Sequence, residues 1–310
     1  MPARHQALNS RSPNPVPDSL KIFIDEPEQT RTLRVGSRLD KYRLQRRMGE
    51  GGFATVYAAV DTIEDRRVAL KIPDPRYFGN TQTMDDLHRE VRIIAKMNHP
   101  SVLRLKDARF IDGHFVMVFP LGEETLADRL CRRMARATTV SYIVQMIEAV
   151  AYAHENRVLH RDIKPENFIL FPDYDIRLTD FGLARWEHGG HDVSASGTLG
   201  FMSPEQAMGH PSYRSDVFSL GLVIYRMLSG ELPTYPFRTP LPGFNRLRRG
   251  LSKDFVALIR KSIDPEPNRR FRDAVAMNNA MKKIRYPLTD RSVVRRADSG
   301  SARGSSLRVA

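Results

Sequence analysis

The chain has 310 residues, 41% of them hydrophobic and 27% charged, an ordinary globular balance with enough length to bury a large core. A single cysteine, Cys131, excludes an intrachain disulfide, and no apolar run reaches the ~20 residues of a membrane span; Phe218 to Leu228, the best candidate, is short and interrupted by Arg226. The net charge of +13 is spread along the chain, with no aromatic residues interleaved among the basic ones, so a solvated basic surface or acidic protein partners fit better than specific nucleic-acid binding.

The N-terminus lacks the apolar core of a secretory signal, and the chain reads as cytoplasmic. Residues 1–38 read as a disordered or loosely docked segment, rich at first in Pro, Ser, Asn and Arg, with Lys21–Ile24 as one candidate strand. From Tyr42 onward, short alternating runs predict antiparallel strands at Tyr42–Met48, Thr55–Val60, Arg67–Ile72, Val102–Phe110 and His114–Phe119. One helix interrupts them at Met84–Met97, with Leu87, Val91 and Ile94 at helical spacing. From Thr125 helices dominate. Val140–Glu155 is the clearest, with Ile143, Ile147, Val150 and Ala151 on one stripe. Residues 288–310 read as a basic disordered tail. A mainly β part followed by a mainly α part predicts an α+β chain of two lobes, 42–119 and 122–286, with a ligand cleft between them.

Four features carry chemistry. Gly49, Gly51 and Gly52 lie in the turn before Val56, where missing Cβ atoms would let a polyphosphate approach the backbone, although glycines also serve ordinary hairpin turns. In Val68-Ala69-Leu70-Lys71-Ile72, period-two alternation puts Ala69 and Lys71 on one face and the three branched residues on the other. Glu90 lies three residues after Leu87 and four before Ile94, on the inward edge of its helix, where a carboxylate can pair with Lys71; the alternative is a surface acid between Arg89 and Arg92. The octapeptide His160–Asn167 and the later Asp180-Phe181-Gly182 place Asp162, Asn167 and Asp180 close in sequence, on a loop and at the end of a hairpin. Asp162 is suited to accept a hydroxyl proton, Lys164 to neutralise a transferring phosphoryl group, and Asn167 and Asp180 to offer hard oxygen donors to Mg²⁺.

Taken together and in this order, these residues resemble the signature set of the eukaryotic-type (Hanks-type) serine/threonine protein kinases, in details most like bacterial members, over about Tyr42 to Tyr286. The resemblance implies a two-lobed kinase fold: a small, mainly antiparallel β lobe with one helix and a larger, mainly α lobe. It also implies transfer of the ATP γ-phosphoryl group to protein Ser or Thr hydroxyls, with autophosphorylation, using Mg²⁺ or alternatively Mn²⁺. Asp162, Lys164 and Asn167 are then catalytic. Gly49, Gly51, Gly52, Val56, Ala69, Lys71, Glu90, Phe119, Leu121 and Asp180 hold the nucleotide, and Asn167 and Asp180 the metal.

By the same resemblance Val118 falls at the gatekeeper and Phe119 to Leu121 at the hinge. Asp216 supports the catalytic loop, and Arg270, in preference to Arg269, pairs with Glu205. Ile94, Leu105, His160 and Phe181 form an apolar spine, and Arg161 either meets a phosphate on the activation segment, at Ser194 in preference to Ser196 or Thr198, or serves structure alone. Ala54 and Phe119 depart from the family pattern. A scaffold that keeps the fold without transfer is the alternative they leave open.

Overall fold

The computed structural model describes residues 33–51, 53–77, 81–181, 199–249 and 251–284. The terminal tails, Gly52, Gly182, Ser194, Ser196 and Thr198 lie outside the described residues.

The first lobe is a six-stranded antiparallel sheet in the order β1-β2-β3-β4-β6-β5. Its strands are β1 Arg38–Leu39, β2 Tyr42–Glu50, β3 Ala54–Asp61, β4 Arg66–Pro73, β5 Asp107–Ile111 and β6 His114–Pro120. Local chemistry sets the turns. Between β5 and β6 the Asp112-Gly113 pair takes φ 48° and 74°, the left-handed pair that a two-residue hairpin demands. Between β3 and β4 the Asp61 carboxylate accepts the backbone N–H groups of Ile63 and Glu64, both at 3.1 Å, and closes the bend from within.

The sheet has two working faces. Val68, Leu70 and Ile72 of β4 join Leu39, Tyr42, Leu44, Val116 and Val118 in a closed apolar cluster. Val68 and Leu70 are fully buried, each worth about 1.5–3 kcal/mol relative to exposure. On the other face Gly49, Val56, Lys71 and Met117 stand in one cross-strand row, and Ala58, Ala69 and Phe119 in the next. Helix α1, Thr81–Lys96, turns Leu87, Glu90 and Ile94 inward, as its periodicity predicts.

The second lobe is mainly helical. Its helices are α2 Leu126–Arg129, α3 Arg136–Glu155, α4 Pro204–Ala207, α5 Tyr213–Ser229, α6 Phe244–Arg248, α7 Lys253–Ser262 and α8 Ala274–Lys282. Ser203, Ser252 and Asp273 cap α4, α7 and α8 with their side-chain oxygens. α5 is buried along most of its length and packs against α3, α7 and α8; Gly221 lies so close to Ile263 that a Cβ there would stand 2.7 Å from its Cγ2. A small sheet, β7 Glu124–Thr125, β8 Phe168–Phe171 and β9 Asp175–Leu178, floors the junction of the lobes.

Three expectations change. The sheet begins at Arg38, ahead of Tyr42, because Arg38 and Leu39 pair with Arg43 and Tyr42. The strand expected over Val102–Phe110 is only Asp107–Ile111: Val102 bridges Leu178 and Leu103 N–H bonds the Leu178 carbonyl at 2.8 Å, so β9 captures that stretch instead. Val118 pairs with Leu70 and belongs to the closed cluster. Met117 and Phe119 are the β6 side chains that share the Lys71 face, because antiparallel partners lie on one side of a sheet.

Candidate active site

The loop after α3 carries the most chemistry and is the most firmly held. The Asp216 carboxylate, from the first turn of α5, accepts the His160 and Arg161 backbone N–H groups, each at 2.8 Å. It also contacts His154 Nε2 at 3.0 Å, and His154 Nδ1 accepts the Ala274 N–H at 2.9 Å. That second bond puts the ring proton on Nε2, so His154 donates to Asp216. Three donors thus converge on one buried carboxylate and stitch α3, α5 and α8 to the loop. They hold Arg161 at φ 70°, a left-handed conformation costing a non-glycine residue of order 1–3 kcal/mol.

The loop's working groups then line up. Lys164 Nζ lies 2.8 Å from Asp162 Oδ2. Asn167 Nδ2 donates to the Asp162 carbonyl at 2.7 Å and to Oδ2 at 2.9 Å. The amide nitrogen is spent on Asp162, which leaves the Asn167 carbonyl oxygen as the end available to a cation. Asp162 itself is oriented by two donors from its own loop.

β9 delivers Asp180. The Thr179 N–H bonds the Asn167 carbonyl at 2.9 Å, and the Thr179 carbonyl accepts His160 Nε2 at 2.8 Å. Asp180 follows at φ 63°. Phe181 is buried, its ring edge against His160 at a centroid distance of 5.0 Å, so it anchors the turn that aims Asp180. Ile94 and Leu105 lie in the same core as Phe181.

From the sheet, Lys71 reaches across to Asp180 and pairs with its Oδ1. Burial alone would drive the ammonium down and the carboxyl up. Their mutual attraction outweighs it, so Lys71 is raised and Asp180 held below the usual carboxylate range. Asp162 and Glu90 also act electrostatically on Lys71, so the groups from both lobes converge on one place.

Glu90 corrects the expected pairing. It lies inward and is 4% exposed, but neither carboxylate oxygen has a hydrogen-bond partner. Lys71 pairs with Asp180 instead. Burial pushes the Glu90 carboxyl up to about 8, with Lys71 opposing and Asp180 reinforcing the shift. Sequence spacing selected the correct helix face but not the partner, because it carries no distance between Lys71 and the Asp180 that β9 brings in.

Gly49 and Gly51 are open. A Cβ at Gly49 would meet nothing within 4 Å, and at Gly51 only the Ala54 carbonyl at 3.7 Å. Neither has a positive φ. Conformation and packing therefore require glycine at neither position, which favours ligand approach over the plain-turn reading. Gly122, after the hinge stretch Phe119–Leu121, is different: a Cβ there would stand 2.2 Å from Ile169 Cγ2, so the fold itself demands glycine. Phe119 is buried and Leu121 half-buried beside it.

Glu205 settles the choice between two arginines. Arg270, its side chain fully buried, donates to Glu205 at 2.7 and 3.1 Å and stacks on Phe218 at 4.4 Å, whereas Arg269 is exposed. Burial pushes the Glu205 carboxyl up, but bonds from Arg270 and Ser215 more than offset this and hold it low. Gln206 donates to the Arg161 carbonyl and so links this anchored corner to the catalytic loop. His154, Gln206 and Ser215 were missed in the sequence. For His154 a signal existed: it lies seven residues after Ile147 and four after Val150, a polar residue on an apolar stripe.

Among the described residues no three His, Cys, Asp or Glu side chains gather as a ready metal cage. An ionised Asp180 and the Asn167 amide oxygen nevertheless fit Mg²⁺, which takes few protein oxygens and completes its shell with phosphate and water.

A two-lobed fold with glycine turn, lysine, His-Arg-Asp loop and aspartate at the lobe junction is the architecture of a protein kinase domain. The protein kinase domain model matches residues 42–281, and the chain belongs to the protein kinase family. It is 31% identical over 261 residues to the serine/threonine-protein kinase PknL of Mycobacterium tuberculosis, covering 79% of this chain and 65% of PknL. It is 32% identical over 209 residues to the serine/threonine-protein kinase PrkC of Bacillus subtilis, covering 65% of this chain and 32% of PrkC. The chain thus spans less than two thirds of either relative. The crystal structure of the Mycobacterium tuberculosis PknI kinase domain matches the fold with a TM-score of 0.61 at 23% identity, over 81% of this chain and 99% of that one. No helix among the described residues is long and apolar enough to cross a membrane.

Proposed function

We propose that this chain transfers the γ-phosphoryl group of ATP to Ser or Thr hydroxyls of proteins. The observation that carries the reading is the convergence of Asp162, Lys164 and Asn167, held by Asp216, with the Lys71–Asp180 pair delivered from the other side.

The acceptor hydroxyl is oriented by Asp162, whose carboxylate takes its proton as the oxygen attacks phosphorus. Lys164, already 2.8 Å from Asp162, stabilises negative charge that grows on the phosphoryl oxygens. Lys71 supplies a second fixed cation for the phosphates. Gly49 and Gly51 let backbone approach them without side-chain interference, and Val56 and Ala69 flank the base. Phe119 and Leu121 supply backbone groups to the adenine edge. Asn167 and Asp180 would hold Mg²⁺, or Mn²⁺ in its place, which when bound neutralises phosphate charge. Among bacterial serine/threonine kinases, the reading is supported by the names PknL and PrkC carry.

The test is direct. Purified protein given γ-labelled ATP and Mg²⁺ transfers label to itself or to Ser/Thr-bearing protein, and an Asp162→Asn variant does not. Absence of transfer to any protein, with ATP still bound, would replace this reading by the non-catalytic scaffold. Activation-segment phosphorylation at Ser194, Ser196 or Thr198, with Arg161 as the phosphate's partner, is proposed on the same footing and is checked by phosphopeptide mapping of active protein.

A further inference from the structure

We infer that a band of arginines beside the catalytic loop is a docking surface for acidic protein segments, so that the preferred acceptor is a Ser or Thr set among carboxylates. This rests on the kinase reading and adds to it a substrate class.

Arg129 closes α2, Arg132 and Arg133 follow in the connecting loop, and Arg136 opens α3. The Arg129 guanidinium donates to the Arg133 carbonyl at 3.1 Å and, more weakly, to the Arg132 carbonyl at 3.4 Å, which curls the loop and holds these cations together. Arg136 Nη2 then donates to the Arg249 carbonyl at 2.9 Å, a contact spanning 113 positions. It seats Arg248 and Arg249 beside the first group. Two arginine-rich stretches far apart in sequence therefore become one surface, and all of these side chains except the half-buried Arg129 are exposed.

The band is poorly neutralised from within. Glu124 is taken by Arg132, and the Asp128 carboxylate is occupied by the backbone and hydroxyl of Thr125 in a capping box. Asp254 adds a negative charge at the start of α7, but Lys253 stands next to it. Among the described residues no carboxylate lies within ion-pairing distance of Arg133, Arg248 or Arg249. Gathering like charges in this way opposes folding slightly, and an anionic partner removes the penalty.

Position and chemistry select the partner. α2 packs against the Pro165–Asn167 turn that follows Asp162 and Lys164, so a chain lying on the band passes close to the acceptor site. Guanidinium groups bind carboxylates in a two-point fork. Neither 126–141 nor 245–254 contains Phe, Tyr or Trp, and of the rings that border them Tyr142 and Phe255 are buried and Phe244 is half-buried with Arg260 over it, so the band offers a nucleic-acid base no open ring to stack on.

The experiment uses the full chain and two fluorescent peptides with one central Ser, flanked in one by Asp and Glu and in the other by Asn and Gln. Binding is read by anisotropy and transfer by kcat/KM. The acidic peptide binds and reacts better by on the order of 10-fold at low salt, through KM, and the advantage shrinks as salt screens the band. R133Q/R248Q/R249Q removes the advantage and leaves transfer to the neutral peptide unchanged. R248E/R249E turns the preference toward a Lys-flanked peptide, which a purely structural role for these residues would not do. Equal binding and equal kcat/KM for the two peptides overturn the inference and leave the kinase reading intact. A uridine-rich RNA that outcompetes the acidic peptide, and loses its hold in the same variants, also overturns it. Preferential binding of the acidic peptide without transfer to either peptide, by a chain that still labels itself, overturns the acceptor preference; only loss of self-labelling as well removes the kinase reading.

Discussion

The two halves of the site are built differently. Below, the catalytic loop is tied by buried, fully partnered bonds: Asp216 alone takes three donors, and Arg270 binds Glu205 and three backbone carbonyls. Above, the sheet and α1 present Lys71, whose partner is Asp180, and a buried Glu90 whose carboxylate has no hydrogen-bond partner. The lower half is pre-organised: its geometry is set before any ligand arrives. The upper half sets one ammonium between its own Glu90 and the lower half's Asp180, and only Asp180 is paired. The proposed catalytic groups, which must not move, are placed in the first setting, and Lys71, proposed to meet the phosphates, in the second.

The largest expected effect breaks the lower half at its reacting group. Asp162→Ala lowers kcat by about 10²–10⁴, the range for a lost general base, with little change in thermal unfolding. Such a variant retaining near-normal turnover would show that Asp162 takes no proton. Next comes the anchor. Arg270→Ala leaves the half-buried Glu205 without its cation and destabilises the fold by about 1.5–3 kcal/mol, whereas the exposed Arg269→Ala costs less than about 0.5 kcal/mol. Urea unfolding of the pair separates them, and similar losses at both positions would dissolve the contrast.

In the upper half, Lys71→Met costs roughly 10²–10³ in kcat/KM through lost phosphate positioning, without the stability loss of Arg270→Ala. The smallest effect is a slope. Glu90 titrates near 8 in the folded protein against an ordinary 4.5, so between those values the folded state keeps a proton that the unfolded chain has released. Stability should therefore fall as pH rises through this window. Glu90→Gln, which has no proton to lose, should flatten that fall and be the more stable form above it. Unfolding midpoints measured across the window decide it; parallel curves for the two proteins would mean that Glu90 is ionised and paired after all.

Periodicity and spacing carried much of this molecule. The alternation in Val68–Ile72 separated core from cleft face, and Leu87, Glu90 and Ile94 marked one edge of α1. These are local facts, because a strand or helix places its side chains by its own repeat. The His160–Asn167 octapeptide was legible for the same reason: its working groups meet within one loop.

What tertiary structure decided were choices among partners. Lys71, expected to pair with Glu90, took Asp180; Glu205 had two candidate arginines and took Arg270; Val118, one position from Met117 and Phe119, turned to the closed cluster through the β4–β6 register. His154 joined Asp216 across 62 positions and Arg136 joined Arg249 across 113. The sequence by itself determined which side chains each element exposes and which chemistry they bring. Only the packed chain decided which of them touch, because an ion pair or a strand register depends on distances of a few ångströms between segments that sequence leaves unrelated.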